Sequence, residues 1–173
     1  PLPVTADAAQ DSATIRVGRQ TPNDPGQFPG SLIRFSPTGD SILYATYLGD
    51  GEDAVAAIAI DNQDNVYVAG SRIWKISASG DLLWSTWLKP GAVLVAAVGG
   101  PNDLYVGGCT TALDPLFYTT AGALQSLSNN SAPRPFRDFQ YYPRACVDGF
   151  VTRFSPDGDV RFSTLVGGSA MAW

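Results

Sequence analysis

Apolar residues in this chain come in short runs separated by Asn, Asp, Gly, Ser and Pro, and no run keeps a helical period. Ala57-Ile58-Ala59-Ile60-Asp61 leads through Asn62-Gln63-Asp64 into Asn65-Val66-Tyr67-Val68-Ala69-Gly70. Leu94-Val95-Ala96-Ala97-Val98, Gly99-Gly100-Pro101-Asn102 and Asp103-Leu104-Tyr105-Val106-Gly107-Gly108 repeat that scheme. Two β-rich runs joined by such punctuation predict a tight antiparallel connection. Strands are expected at about 55–60, 65–70, 73–78 and 82–88.

A second phrase occurs three times: Arg34-Phe35-Ser36-Pro37-Thr38-Gly39-Asp40, Lys75-Ile76-Ser77-Ala78-Ser79-Gly80-Asp81 and Arg153-Phe154-Ser155-Pro156-Asp157-Gly158-Asp159. Each copy precedes an aromatic–small–Thr run: Tyr44-Ala45-Thr46, Trp84-Ser85-Thr86 and Phe162-Ser163-Thr164. The phrase predicts a turn whose glycine takes a positive φ. Recurrence of one phrase at intervals of roughly forty residues or more indicates a repeat architecture. One unit is then a four-stranded antiparallel sheet with small residues on its first strand (Ala56, Ala57, Ala59) and large ones on its last (Trp84, Trp87). Sheets arranged radially are crowded at the hub and roomy at the rim, so this gradient predicts an all-β fold of β-propeller blades, first strand innermost.

These residues resemble the bacterial SBBP-type (seven-bladed) β-propeller repeat family. The resemblance rests on Tyr44 to Asp53, on Ala57 to Asp61, on Asn65 to Gly70 and on Asp148 to Gly158. It rests also on two copies of a Pro-x-Thr-x-x-Ala-x-Gln loop, Pro3 to Gln10 and Tyr118 to Gln125, the second departing at its first position. It implies about two and a half blades, a partial propeller. Residues 1–48 would be a loop plus the last two strands of a blade, and 49–88 a complete blade. Residues 89–167 would be a complete blade with a long insertion at 109–147, and 168–173 the start of the next. A closed ring usually takes four to eight blades, so the chain is expected to be a piece of a longer protein or to meet further blades of the same or another chain. The resemblance supplies no catalytic residues.

Cys109 and Cys146 stand at the two ends of the insertion, where adjacent strands bring them close, and are expected to form a disulfide. It would add about 4 kcal/mol by loop closure and implies a secreted, periplasmic or cell-surface location. Within the insertion, Phe136, Arg137, Phe139, Tyr141, Tyr142 and Arg144 crowd into a short stretch. Such residues suit a contact surface for a protein or glycan; equally, a long loop packs such rings back onto its own blade.

Charge and composition narrow the chemistry. A net charge of −5 disfavours nucleic acid and anionic membrane surfaces as partners. The chain contains no histidine, which removes His-based acid–base chemistry, Ser-His-Asp and Cys-His nucleophiles, and His-ligated metals. Asp50, Glu52 and Asp53 are a weak candidate for Ca²⁺, but their spacing matches no calcium loop and a solvated acidic turn explains them better. No cofactor is expected. The chain reads as a non-enzymatic binding or assembly module. The alternative is part of a propeller enzyme acting on polysaccharide, its catalytic carboxylates on blades absent here.

Overall fold

A computed structural model of the chain describes residues 4–13, 29–50, 55–88, 92–111, 117–127 and 146–167. The described elements are all strands: β1 (Gly30–Phe35), β2 (Ile42–Leu48), β3 (Val55–Ile60), β4 (Val66–Gly70), β5 (Arg72–Ile76), β6 (Leu82–Trp87), β7 (Ala92–Gly99), β8 (Asp103–Thr111), β9 (Cys146–Phe154) and β10 (Val160–Val166). They form two four-stranded sheets, β3-β4-β5-β6 and β7-β8-β9-β10, and one two-stranded sheet, β1-β2. Every pairing is antiparallel and joins strands consecutive in the chain. These are propeller blades, and the chain is a partial propeller.

Two strands end earlier than the apolar pattern predicts. β5 stops at Ile76 because Ser77 is already committed to a turn: its amide donates to the Asp81 carbonyl at 2.8 Å and its carbonyl accepts from the Gly80 amide at 3.0 Å. The same turn recurs at Ser36 and Ser155, where the Gly39 and Gly158 amides donate to the serine carbonyls at 2.9 and 3.0 Å. Gly39, Gly80 and Gly158 have φ of 74°, 102° and 92°, which a side chain resists. In the first copy the Ser36 and Thr38 hydroxyls bond the Asp40 carboxylate at 2.8 and 2.9 Å and hold its pKa below the usual aspartate value. β6 likewise ends at Trp87, one residue short.

The sheets approach most closely along their first strands, β3 against β7, and their outer strands diverge. The small residues Ala57 and Ala59 on β3, and Ala96 on β7, make that approach possible. One core lies between the two full sheets, with Tyr67, Ala69 and Ile73 facing Leu104, Val106, Phe150, Phe154 and Leu165. A second lies between the two-stranded sheet and the first full one, with Leu32, Tyr44 and Leu48 facing Val66, Val68, Trp74 and Ile76. Burial of a large apolar side chain contributes roughly 1.5–3 kcal/mol, so the faces between sheets carry the stability.

The two Thr…Gln loops do the same work on two outer strands. The Thr5 amide donates to the Ala45 carbonyl at 3.2 Å, the Tyr47 amide to the Gln10 carbonyl at 3.0 Å, and the Gln10 amide to Thr46 Oγ1 at 2.9 Å. On β10, the Thr120 amide donates to the Ser163 carbonyl at 3.0 Å, the Leu165 amide to the Gln125 carbonyl at 3.0 Å, and the Gln125 amide to Thr164 Oγ1 at 3.0 Å. The threonine of each aromatic–small–Thr run is therefore a loop anchor.

Candidate functional site

The strand registers align one row of residues across each sheet. In the first full sheet the row is Ala59, Tyr67, Lys75, Trp84. In the second it is Ala97, Tyr105, Arg153, Phe162. The two-stranded sheet has its outer half, Arg34 and Tyr44. Small residue, tyrosine, cation and aromatic thus recur in one order, and the cation is the first residue of the repeated phrase.

The first two rows each grip the next sheet by its turns. Arg34 donates from Nη1 to the Ala78 carbonyl at 2.9 Å, and its Nη2 lies 3.5 Å from Asp64 Oδ2. Lys75 Nζ donates to the Pro156 carbonyl at 3.0 Å. Ala78 and Pro156 occupy the same place in their phrases. The glycine two residues on rests against the aromatic of the row. A Cβ on Gly80 would come within 3.4 Å of the Tyr44 ring, and one on Gly158 within 3.0 Å of the Trp84 ring. Trp84 Nε1 adds a bond to the Pro156 carbonyl at 2.8 Å, and the Tyr67 hydroxyl reaches the Asn102 carbonyl at 3.2 Å. Asp64 and Asn102 hold equivalent turn positions with φ of 61° and 68°, an αL conformation that Asx residues tolerate.

Every row cation has a carboxylate, drawn from different positions. Lys75 sits 3.7 Å from buried Asp61 and over the Tyr67 ring at 5.1 Å. Burial raises the Asp61 pKa, but bonds from the Asn65 side chain and from the Asn65 and Gln63 amides, with Lys75 nearby, outweigh it and leave the group below its usual value. In the second sheet Gly99 replaces Asp61, and the carboxylate moves to Asp103, at the place of Asn65. Asp103 is buried and accepts from Arg153 Nε at 2.7 Å and from its Nη2, with Arg161 Nε at 3.6 Å. The hydrogen bond to Asp103 raises the Arg153 pKa.

The residues singled out from sequence distribute as follows. Asp50 lies just beyond β2, whereas Glu52 and Asp53 fall outside the described residues. No metal-holding group of carboxylates or thiols occurs among the described residues. Phe136, Arg137, Phe139, Tyr141, Tyr142 and Arg144 also fall outside them. β8–β9 pairing puts Thr111 opposite Cys146 and Cys109 opposite Gly149, so both cysteines lie at the end of that ladder. Sequence reading missed the row itself. The signal was available in the cation that opens each phrase and in the tyrosine shared by β4 and β8.

No family model and no curated protein matches this chain. Among solved structures, a protein of unknown function from Bacteroides caccae is 11% identical, with a TM-score of 0.50 over 83% of this chain and 43% of that one. BamB from Moraxella catarrhalis is 15% identical, with a TM-score of 0.36 over 83% and 48% of the respective chains. The chain thus spans less than half the length of either protein. What the likeness to the Bacteroides caccae structure carries is the fold.

Proposed function

We propose that this chain is a non-enzymatic β-propeller module of the SBBP type, acting outside the cytoplasm in structural assembly or in binding a protein or glycan. The observation that carries the reading is the turn-gripping row, which closes two successive sheet-to-sheet joints in the same way. Two of the buried carboxylates serve the fold itself: Asp61 is bound by its turn and Asp103 by two arginines. The insertion residues Phe136, Arg137, Phe139, Tyr141, Tyr142 and Arg144 are the candidate contact surface for a partner.

Extracytoplasmic location rests on a Cys109–Cys146 disulfide. It is supported by the β8–β9 pairing, which brings the two strand ends together with Thr111 opposite Cys146 and Cys109 opposite Gly149. Among the described residues no helix is long and apolar enough to cross a membrane.

The test pairs two assays on the purified chain. Alkylation under denaturing, non-reducing conditions is expected to label neither cysteine. A polysaccharide and protein array, read for both retention and released sugar, is expected to show retention without release. Two labelled thiols would sink the extracytoplasmic reading, and released sugar fragments the non-enzymatic one.

A further inference from the structure

The outer strands β2, β6 and β10 hold equivalent places in their sheets, but a Thr…Gln segment lies on only two of them. Ala45 pairs with Ile33, Ser163 with Thr152 and Ser85 with Trp74. The amide and carbonyl of all three therefore point away from the neighbouring strand. On β2 the Ala45 amide donates to Thr5 Oγ1 at 3.2 Å, and on β10 the Ser163 amide donates to Thr120 Oγ1 at 3.0 Å. The Ser163 hydroxyl adds a bond to the Tyr118 carbonyl at 2.8 Å, and Thr46 and Thr164 hold the Gln10 and Gln125 amides. Ala45, Thr46, Ser163 and Thr164 are all buried.

β6 keeps the anchors without the segment. Ser85-Thr86 repeats Ser163-Thr164 residue for residue. Yet Ser85 is exposed and Thr86 half-buried, and beyond the ladder to β5 neither has a hydrogen-bond partner among the described residues. The cause is local. β4 and β5 are joined by Ser71 alone, whereas the β8–β9 connection carries Thr120 to Gln125. This edge belongs to the middle sheet, between the two sheets whose outer strands are covered. Outward main-chain groups on an outer strand are the points at which a further segment adds to a sheet.

We infer that β6 docks a segment of a partner protein with the pattern Thr-Ala-x-Ala-x-Gln, which both seated segments share at Thr5 to Gln10 and Thr120 to Gln125. The partner's threonine amide donates to the Ser85 carbonyl and its hydroxyl accepts from the Ser85 amide. The partner's glutamine amide donates to Thr86 Oγ1. The occupant comes from another protein because this chain's own two segments are seated on β2 and β10, and a second copy would have to unseat one to offer it. The inference rests on the reading of the chain as a protein-binding module and specifies where the partner binds and by what chemistry.

Fluorescence anisotropy of a labelled synthetic peptide, Tyr118 to Leu127, against the purified 173-residue chain tests it. Saturable binding is expected. Replacing Thr120→Val and Gln125→Ala together in the peptide is expected to weaken it about tenfold, and Thr86→Val in the chain about fivefold. Circular dichroism on the Thr86→Val chain checks that it folds. Hydrogen exchange on the unaltered chain locates the peptide without any substitution: the Ser85 amide is expected to slow about tenfold at saturation, with Gln125 and Leu165 unchanged. Absence of binding, or binding indifferent to Thr86→Val, overturns the inference. So does faster exchange at Gln125 and Leu165 with Ser85 unaltered, since the peptide would then be displacing the chain's own segment on β10. If the peptide fails while the array still shows retention without released sugar, only the β6 dock has failed; if the array fails as well, the module reading falls with it.

Discussion

The indole of Trp84 and the carbonyl of Pro156 meet at 2.8 Å although 72 residues separate them. The bond belongs to the joint in which one sheet holds the turn of the next, and it shares its acceptor with Lys75. Trp84→Phe keeps a ring under Gly158 and removes only the donor. Because the carbonyl retains Lys75, the expected loss is about 1 kcal/mol. Trp84→Ala also removes the ring and is expected to cost about 3 kcal/mol. Urea unfolding of both variants, with unchanged slope, checks the ordering.

Gly158 combines a positive φ of 92° with a neighbour 3.0 Å from where its Cβ would stand. Gly39 has the positive φ without the neighbour. Valine at either position incurs the backbone strain, roughly 1–2 kcal/mol, but only at 158 does it also push the sheets apart. Gly158→Val is therefore expected to lower the unfolding midpoint clearly more than Gly39→Val, as read by thermal melts of dilute protein.

Asp61 gives the joint an acid limit. Its folded pKa lies below the ordinary 3.8, so the folded state binds the proton less readily than the unfolded chain does. The stabilisation is complete above about pH 4 and disappears as pH falls through the folded value. Asp61→Asn is expected to cost roughly 1–3 kcal/mol at neutral pH. The gap to the parent chain is expected to close on acidification. Denaturant titrations between pH 7 and pH 2 report it, and a gap independent of pH would remove the carboxylate from this role.

Thr164 anchors the second outer loop by accepting from the Gln125 amide at 3.0 Å. Thr164→Val preserves shape and deletes the acceptor. Faster hydrogen exchange at Gln125 and Leu165, by about fivefold to tenfold, is expected for a loss near 1 kcal/mol. The amides of β4 and β5, in the other full sheet, are expected to keep their rates.

The blades were legible in the chain because their turns need particular residues. A glycine at positive φ and a serine that closes the turn leave the same trace wherever they recur, so Ser36, Ser77 and Ser155 mark three equivalent corners. The Thr5–Gln10 and Thr120–Gln125 loops were legible for a similar reason, since a threonine hydroxyl and a glutamine amide occupy fixed places in the bonding. The joint was not. Its acceptors are the main-chain carbonyls of Ala78 and Pro156, which any residue supplies, and Lys75 reaches across 81 positions to find one. The shift of the balancing carboxylate from Asp61 to Asp103 also hides the equivalence, because a position-by-position comparison of the repeats sees two unrelated differences. The insertion's aromatics lie outside the described residues.

The loops hydrogen-bonded along β2 and β10 have a consequence for how such molecules can aggregate. A sheet adds strands through the outward amides and carbonyls of its last strand. At Ala45, Tyr47, Ser163 and Leu165 those groups are already bonded to Thr5, Gln10, Thr120 and Gln125. Lateral recruitment of a further strand, the usual first step towards a fibril, is thus closed along the outer edges of β2 and β10.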